Sequence, residues 1–271
     1  RFLDQWAQDW SSGAFLKLVV SQTIFANVAT LPPPANNDDV TPRLPILKPD
    51  EYPEGERLVA DHDSNGWPQT ARNQALRAIR RAQALQVGAD QHLGSTVQYG
   101  IDTFRDGPWA ICTPAISNLW PRRWYPPNPG ANGDSRNTGD FHDGFGNKVT
   151  VHAVANRAQY GAAPDPLSDR APGYGIIEID RATRKVRLTN WPRWVDPSQA
   201  GAKPFPGWPI EIHQLDNGLN SARYKLPAVS LAGLANPVIQ VVKESSGEVE
   251  YTVSLPRGTT FTPRVWTPGT Y

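Results

Sequence analysis

Apolar positions open the chain at helical spacing, with Phe2, Leu3, Trp6 and Trp10 on one stripe and Ser11-Ser12-Gly13 ending the run. Residues 15–22 then read Phe-Leu-Lys-Leu-Val-Val-Ser-Gln. So nearly continuous an apolar run predicts a strand buried on both faces, with Ser21, Gln22 and Thr23 at its polar carboxyl end. Residues 30–56 are rich in Pro, Asn and Asp and predict a long surface excursion that covers or serves a site. Asp61-His62-Asp63-Ser64-Asn65-Gly66-Trp67-Pro68-Gln69 is a polar turn leading into a helix over residues 70–82. Its stripe is Ala75, Leu76, Ile79 and Ala82, which leaves Arg72, Arg77 and Arg80 on solvated faces. A strand over residues 85–89 follows, so strand, helix and strand alternate as in an α/β layer.

Past residue 94 the pattern shifts toward β structure, giving an α/β (α+β) chain with a C-terminal antiparallel β extension. Residues 95–101, 109–113 and 148–155 predict strands, and residues 128–147 a polar loop containing Gly139-Asp140-Phe141-His142-Asp143-Gly144. Residues 175–180 with 185–189, and 237–242 with 249–255 across Ser245-Ser246-Gly247, predict hairpins. From residue 207 the alternation predicts a small antiparallel sandwich or an added sheet. The division expected is residues 1–160 and a β-rich region 161–271, with no internal repeat.

Composition narrows the function classes. A net charge of +1 with 20% charged residues does not signal a nucleic-acid binder. The single cysteine, Cys112, excludes an internal disulfide framework, and no apolar run approaches membrane-spanning length. The chain starts at Arg1, contains no Met, opens in a helix without a capping residue, and stops at Tyr271 as a strand begins. Those features read as a chain cut at both ends, in which a signal peptide could not be seen.

Chemistry concentrates where the run over residues 85–89 ends in Asp90, Gln91 and His92. On an extended chain alternate residues share a face, so a carboxylate and an imidazole would meet there and could hold a cation. The alternative is a satisfied pair at a strand end, bonded to backbone amides. Asp61, His62, Asp63 and Asn65 could reach the same edge or simply cap the turn before the helix. Arg122 and Arg123, beside Trp120, Trp124 and Tyr125, could orient a phosphate or pack on the aromatics. Asp140, His142 and Asp143 read either as a calcium loop or as an ordinary polar loop, and His152, His213 and Cys112 as structural.

With these segments placed, the chain resembles the PhoD-like alkaline phosphatases, a branch of the calcineurin-like metallophosphoesterases. The matching residues are Phe2-Leu3-Asp4-Gln5-Trp6, Lys17-Leu18-Val19-Val20-Ser21-Gln22-Thr23, Asp63-Ser64-Asn65-Gly66-Trp67-Pro68-Gln69 and Gly88-Ala89-Asp90-Gln91-His92. Residues 118–127 and Gly144-Phe145-Gly146-Asn147 fit the same group, and the likeness thins after residue 160. The resemblance implies a mixed-sheet sandwich of which this chain is the second half. It implies metal-dependent hydrolysis of phosphate mono- or diesters in the periplasm or outside the cell. Asp90 and His92 would be the closing metal ligands, Asp63 and Asn65 would lie by the metals, and Gln22 would stand where relatives end a strand in a liganding His. Iron or calcium, with zinc or manganese as alternatives, would be held jointly with an N-terminal half or a complementing chain. The Gly-Asn-His motif of that half is absent, and Gly139-Asp140 follows a polar run, which disqualifies it as the missing Gly-Asp element. On its own the chain would bind metal poorly and turn nothing over. The rival expectation is a non-catalytic binding or structural protein that keeps the fold and uses its β-rich half for adhesion or assembly.

Overall fold

Helix α1 (Phe2–Gln8) precedes strand β1 (Leu18–Val20), and the short strands β2 (Thr30–Leu31) and β3 (Arg57–Leu58) pair with each other. Helix α2 (Gln69–Arg81) leads to β4 (Leu85–Gly88), β5 (Ser95–Tyr99), β6 (Trp109–Cys112), β7 (Gly139–His142) and β8 (Lys148–Val154). After the single turn α3 (Asp165–Ser168) come β9 (Gly173–Ile179), β10 (Lys185–Pro192) and β11 (Ile210–His213). The last stretch holds β12 (Tyr224–Lys225), β13 (Val229–Ser230), β14 (Val238–Lys243), β15 (Glu248–Ser254), β16 (Thr260–Phe261) and β17 (Arg264–Val265). This computed structural model describes residues 2–33, 44–48, 50–118, 120, 122–258 and 260–271. Residues 34–43 and 49 of the expected surface excursion lie outside them.

The chain is a mixed α/β protein. Six strands form a sheet in the order β1-β4-β6-β5-β8-β7, in which β1, β4 and β6 run parallel and the remaining pairs antiparallel. Strands β11, β10 and β9 make a separate antiparallel sheet, and the predicted hairpins are β9–β10 and β14–β15.

Alternation along β6 explains the layering. Ala110 and Cys112 face α2, where Leu76, Ile79 and Ala82 pack with Val97 and Tyr99. Trp109 and Ile111 face the other way, onto Val186, Leu188 and Ile212 of β10 and β11. Each such fully buried aliphatic side chain contributes about 1.5–3 kcal/mol. Residues on either side of the 160–161 division therefore share one core. A second core, built on Val241, Tyr251, Val253, Phe261 and Val265, belongs to the C-terminal strands. That unit is tied back to α2 by the Arg81–Glu248 ion pair and by Arg80 over the Trp266 ring at 4.2 Å.

Three expectations are corrected. The strand read over residues 15–22 is only Leu18–Val20 and forms an edge of the six-stranded sheet, with Val20 77% exposed, so it is not buried on both faces. Arg72 is not solvated: it is buried under α2, where its guanidinium donates to the carbonyls of Phe25, Gly100 and Lys148. Residues 139–142 are strand β7, not loop, because Phe141 points into the core while Asp140 and His142 face out.

His152 on β8 stacks on Trp109 with ring centroids 4.1 Å apart, and burial pushes its imidazole down to about 4. Between about pH 6.5 and about 4 the unfolded ring holds a proton that the folded one refuses. Stability from this group is therefore complete above that window and is lost as pH falls through it. Replacing His152 by Phe should cut the acid-side loss of unfolding free energy by about 2 kcal/mol or more, read from urea midpoints across the window. An unchanged slope would mean that the ring is protonated in the folded state.

Candidate functional site

The three parallel strands deliver their carboxyl ends to one edge. Past them the backbone bonds continue as Ser21 N to Val87 O at 3.1 Å, Ala89 N to Gln22 O at 2.9 Å and Thr113 N to Gly88 O at 2.9 Å. This extension lays Gln22 beside Asp90, and the Gln22 Nε2 amide donates to Asp90 Oδ2 at 2.6 Å. Gly88 is needed at the crossing, because a Cβ there would lie 2.9 Å from the Ile24 amide nitrogen. Asp90 is exposed, and Oδ1 has no hydrogen-bond partner among the described residues.

Asp90 and His92 do not meet by strand alternation, as the spacing had suggested. Both lie beyond β4 in the left-handed region, at φ 54° and 52°, and Gln91 between them is buried. Both side-chain polar atoms of Gln91 lack a partner among the described residues. Asn118, at φ 33°, is a third non-glycine residue in that region along the same edge. Asp, Asn and His tolerate the conformation better than most, at a cost of about 1 kcal/mol each. Such strain concentrates where side chains must be aimed.

His92 is half-buried, and its Nδ1 accepts the Trp120 amide at 3.3 Å. The neutral ring thus carries its proton on Nε2, with the Asn118 side chain as a second polar neighbour of the imidazole. Burial holds the imidazole below its ordinary value and the Arg122 charge lowers it further, while Asp90 and the hydrogen bonds of Trp120 and Asn118 oppose both. The ring is therefore neutral at physiological pH.

Arg122 pairs with Asp61, whose Oδ1 also accepts the Asp63 amide at 3.0 Å and so closes the turn before α2. Asn65 is fixed by two bonds to Thr23, N to Oγ1 at 3.2 Å and Nδ2 to O at 2.9 Å. Segments far apart in sequence, around residues 22, 61–65, 90–92 and 118–122, thus form one connected rim. Asp63 stays exposed on that rim.

The other candidates lie elsewhere. Arg123, read as a phosphate contact, is buried and paired with buried Glu56, which leaves Arg122 as the arginine of the rim. Asp140 spends its carboxylate on Arg105 Nε at 2.9 Å, Thr150 Oγ1 at 2.5 Å and Asn132 Nδ2 at 2.9 Å. Asp143 accepts Asn27 N, Phe145 N, Asn147 N and Asn147 Nδ2, all within 3.1 Å. Carboxylates occupied by N–H and O–H donors, with a guanidinium on one of them, do not favour the calcium reading of Asp140 and Asp143. Asp143 instead shapes the 143–147 loop, which grips the rim through Asn147 Nδ2 to Gly66 O at 2.8 Å.

The rim also carries an aromatic platform that the sequence reading had not singled out. Trp67 stacks on Phe145 at 5.7 Å and His62 meets Phe145 edge-on at 5.2 Å, with Trp67 more than half exposed. Cys112 is buried, its thiol pushed up to about 12, and is inert as expected. His213 caps the turn that follows β11.

A metal centre needs three or four protein ligands. No three of His, Cys, Asp or Glu are grouped to hold one among the described residues. Asp90 Oδ1 is free to meet a cation. A ring bound to metal through Nε2 would need its proton on Nδ1, where the Trp120 amide already donates. As it stands, His92 together with Arg122 suits an oxyanion better than a cation. Comparison with protein-family profiles, curated proteins and solved structures returns no match to this chain.

Proposed function

We propose that this edge is part of a phosphate-ester hydrolase site of the PhoD-like kind. The observation that supports it is the connected rim itself: the same short segments that carry the family resemblance meet at the carboxyl ends of β1, β4 and β6. Asp90, steadied on one oxygen by Gln22, presents the other to a cation whose remaining ligands come from outside this sequence. A bound iron, calcium, zinc or manganese ion would supply the Lewis acidity that phosphate-ester hydrolysis needs at neutral pH. His92 offers its Nε2 proton to a phosphoryl oxygen, and Arg122, held by Asp61, adds positive charge beside it. Asn65 and Asp63 line the turn that bounds the rim.

The test is hydrolysis of bis-p-nitrophenyl phosphate by the polypeptide that carries these residues, with and without chelator. His92→Ala and Asp90→Asn should each lower kcat/KM by about a hundredfold or more, and chelation should abolish turnover. Activity indifferent to chelator and to both substitutions would remove the proposal. Phosphate-ester binding that needs Arg122 but never leads to turnover would favour the non-catalytic reading instead.

A further inference from the structure

Arg157 and Arg184 are buried arginines without a carboxylate partner among the described residues; Arg184 at least lies over the Phe15 ring, at 5.0 Å, and among those residues no ring contact answers Arg157. Arg157 follows β8 in the segment Ala155-Asn156-Arg157-Ala158, and only 9% of its surface is exposed. Its guanidinium makes no hydrogen bond or ion pair among the described residues; Nε is sealed from solvent without a partner, and only the Nη tip reaches the surface. Desolvating most of a guanidinium without a counter-charge is unfavourable, so native arginines set this far in are normally paired. Glu56 does that for Arg123. Around Arg157 the charges run the wrong way. Burial brings it down to about 10, and the groups acting on it besides burial are Arg170 and Arg123, both cations. The Arg170 side chain likewise has no hydrogen bond or ion pair among the described residues, and Asp169 beside it already accepts the Tyr160 amide at 2.9 Å.

The surroundings are rigid and adjoin the rim. Ala155 N donates to Gly94 O at 2.7 Å, which runs the exit of β8 alongside the loop that carries His92. Asn156 clasps both backbone groups of Trp124, at 2.7 and 2.8 Å, and its own carbonyl accepts the Tyr160 hydroxyl at 2.6 Å. Asn118 Nδ2 donates to Arg170 O, while Asn118 Oδ1 is buried without a partner. The segments that carry Arg157 and Arg170 thus lie together, with Ala155 and Ala171 in one core cluster and the Tyr160 amide on Asp169.

We propose that Arg157 and Arg170 form an oxyanion subsite that takes a phosphate group, separate from the Asp90–His92 pair. Two unpaired guanidinium groups match a dianion in charge, and their planar forks match phosphate oxygens in geometry. The subsite stands on Arg157 and its neighbours and does not depend on a metal at Asp90.

Thermal melts and isothermal titration of the full chain with inorganic phosphate, against chloride at matched ionic strength, test it. Phosphate should raise the melting temperature of the wild type. Arg157→Met should melt higher than wild type in phosphate-free buffer, because it removes an uncompensated charge, yet bind phosphate about tenfold or more weakly. Arg157→Lys, which keeps the charge and loses the fork, should fold like wild type and bind phosphate less tightly, and Arg170→Gln should weaken it too. On a His92→Ala background, where the phosphate contact of the rim is removed, a response should remain and should still depend on Arg157. A response that on this background survives Arg157→Met and Arg157→Lys, or that His92→Ala alone abolishes, would overturn the proposal, as would the absence of any response in the wild type.

Discussion

Glu56→Ala should lower the unfolding free energy by about 3–5 kcal/mol, one of the two largest effects expected of any single substitution here. Arg123 is 2% exposed, and among the described residues Glu56 is its one carboxylate partner. Removing that partner leaves a guanidinium in the interior with, among the described residues, a 3.4 Å contact to the Pro45 carbonyl and the Tyr125 ring at 5.8 Å. The damage would spread, because Arg123 O also accepts the Thr30 amide at 2.9 Å and Thr30 Oγ1 accepts the Tyr125 amide at 2.9 Å. Replacing both members, as Glu56→Leu with Arg123→Met, should recover most of the loss, since a buried pair is close to neutral against an apolar pair of similar volume. Urea midpoints of the two single variants and the double variant measure the coupling. Additive losses would show that the two side chains do not depend on each other. Unaltered phosphate affinity in the double variant would confirm that this arginine is a piece of scaffold.

Asp143→Ala should cost about 3–4 kcal/mol, seen as a lower urea midpoint. Its carboxylate answers three backbone amides and the Asn147 side-chain amide, and the alanine variant leaves those donors buried and empty-handed. Asp143→Asn keeps the shape but lacks the charge and one acceptor, so it should fall between the two. Next to it, Gly144 lies so close to the chain after β3 that a Cβ would sit 1.6 Å from Val59 O. Gly144→Ala should therefore destabilise at least as much, through overlap and not through lost bonds. The consequence for the rim is direct. Asn147 would lose its anchor and with it the contact to Gly66 O, so the Asn65 turn would loosen and phosphate-ester affinity would fall with stability. A destabilised Asp143→Ala protein with unchanged affinity would show that the 143–147 loop does not steady the site.

Much of this arrangement was legible in local sequence, and the failures have physical causes. The α2 stripe and the hairpins β9–β10 and β14–β15 follow from periodicity, which needs no tertiary information. Gln22, Asn65, Asp90, His92 and Arg122 were readable as polar residues closing apolar runs or turns. Their meeting depends on the parallel order of β1, β4 and β6, which no local pattern encodes. The alternation argument for Asp90 and His92 failed because both backbones turn left-handed after Gly88. Strand β7 went unrecognised because four residues with one core contact, Phe141, give too short a period inside a polar run. Arg72 and Arg123 read as surface charges since their carbonyl and carboxylate partners lie 25 or more positions away in sequence. Arg157 carried no signal at all. It stands out only once its neighbours are known to offer it nothing negative.

Strand β1 bears Leu18 and Val20 on open surface, and among the described residues no other strand pairs with its free side. A bare apolar margin of this kind invites a neighbouring strand to lie against it. Any such newcomer would rest within two residues of Gln22, whose amide steadies Asp90. Association along this margin is therefore mechanically joined to the orientation of the Asp90 carboxylate, so a strand capping β1 would be felt at Asp90.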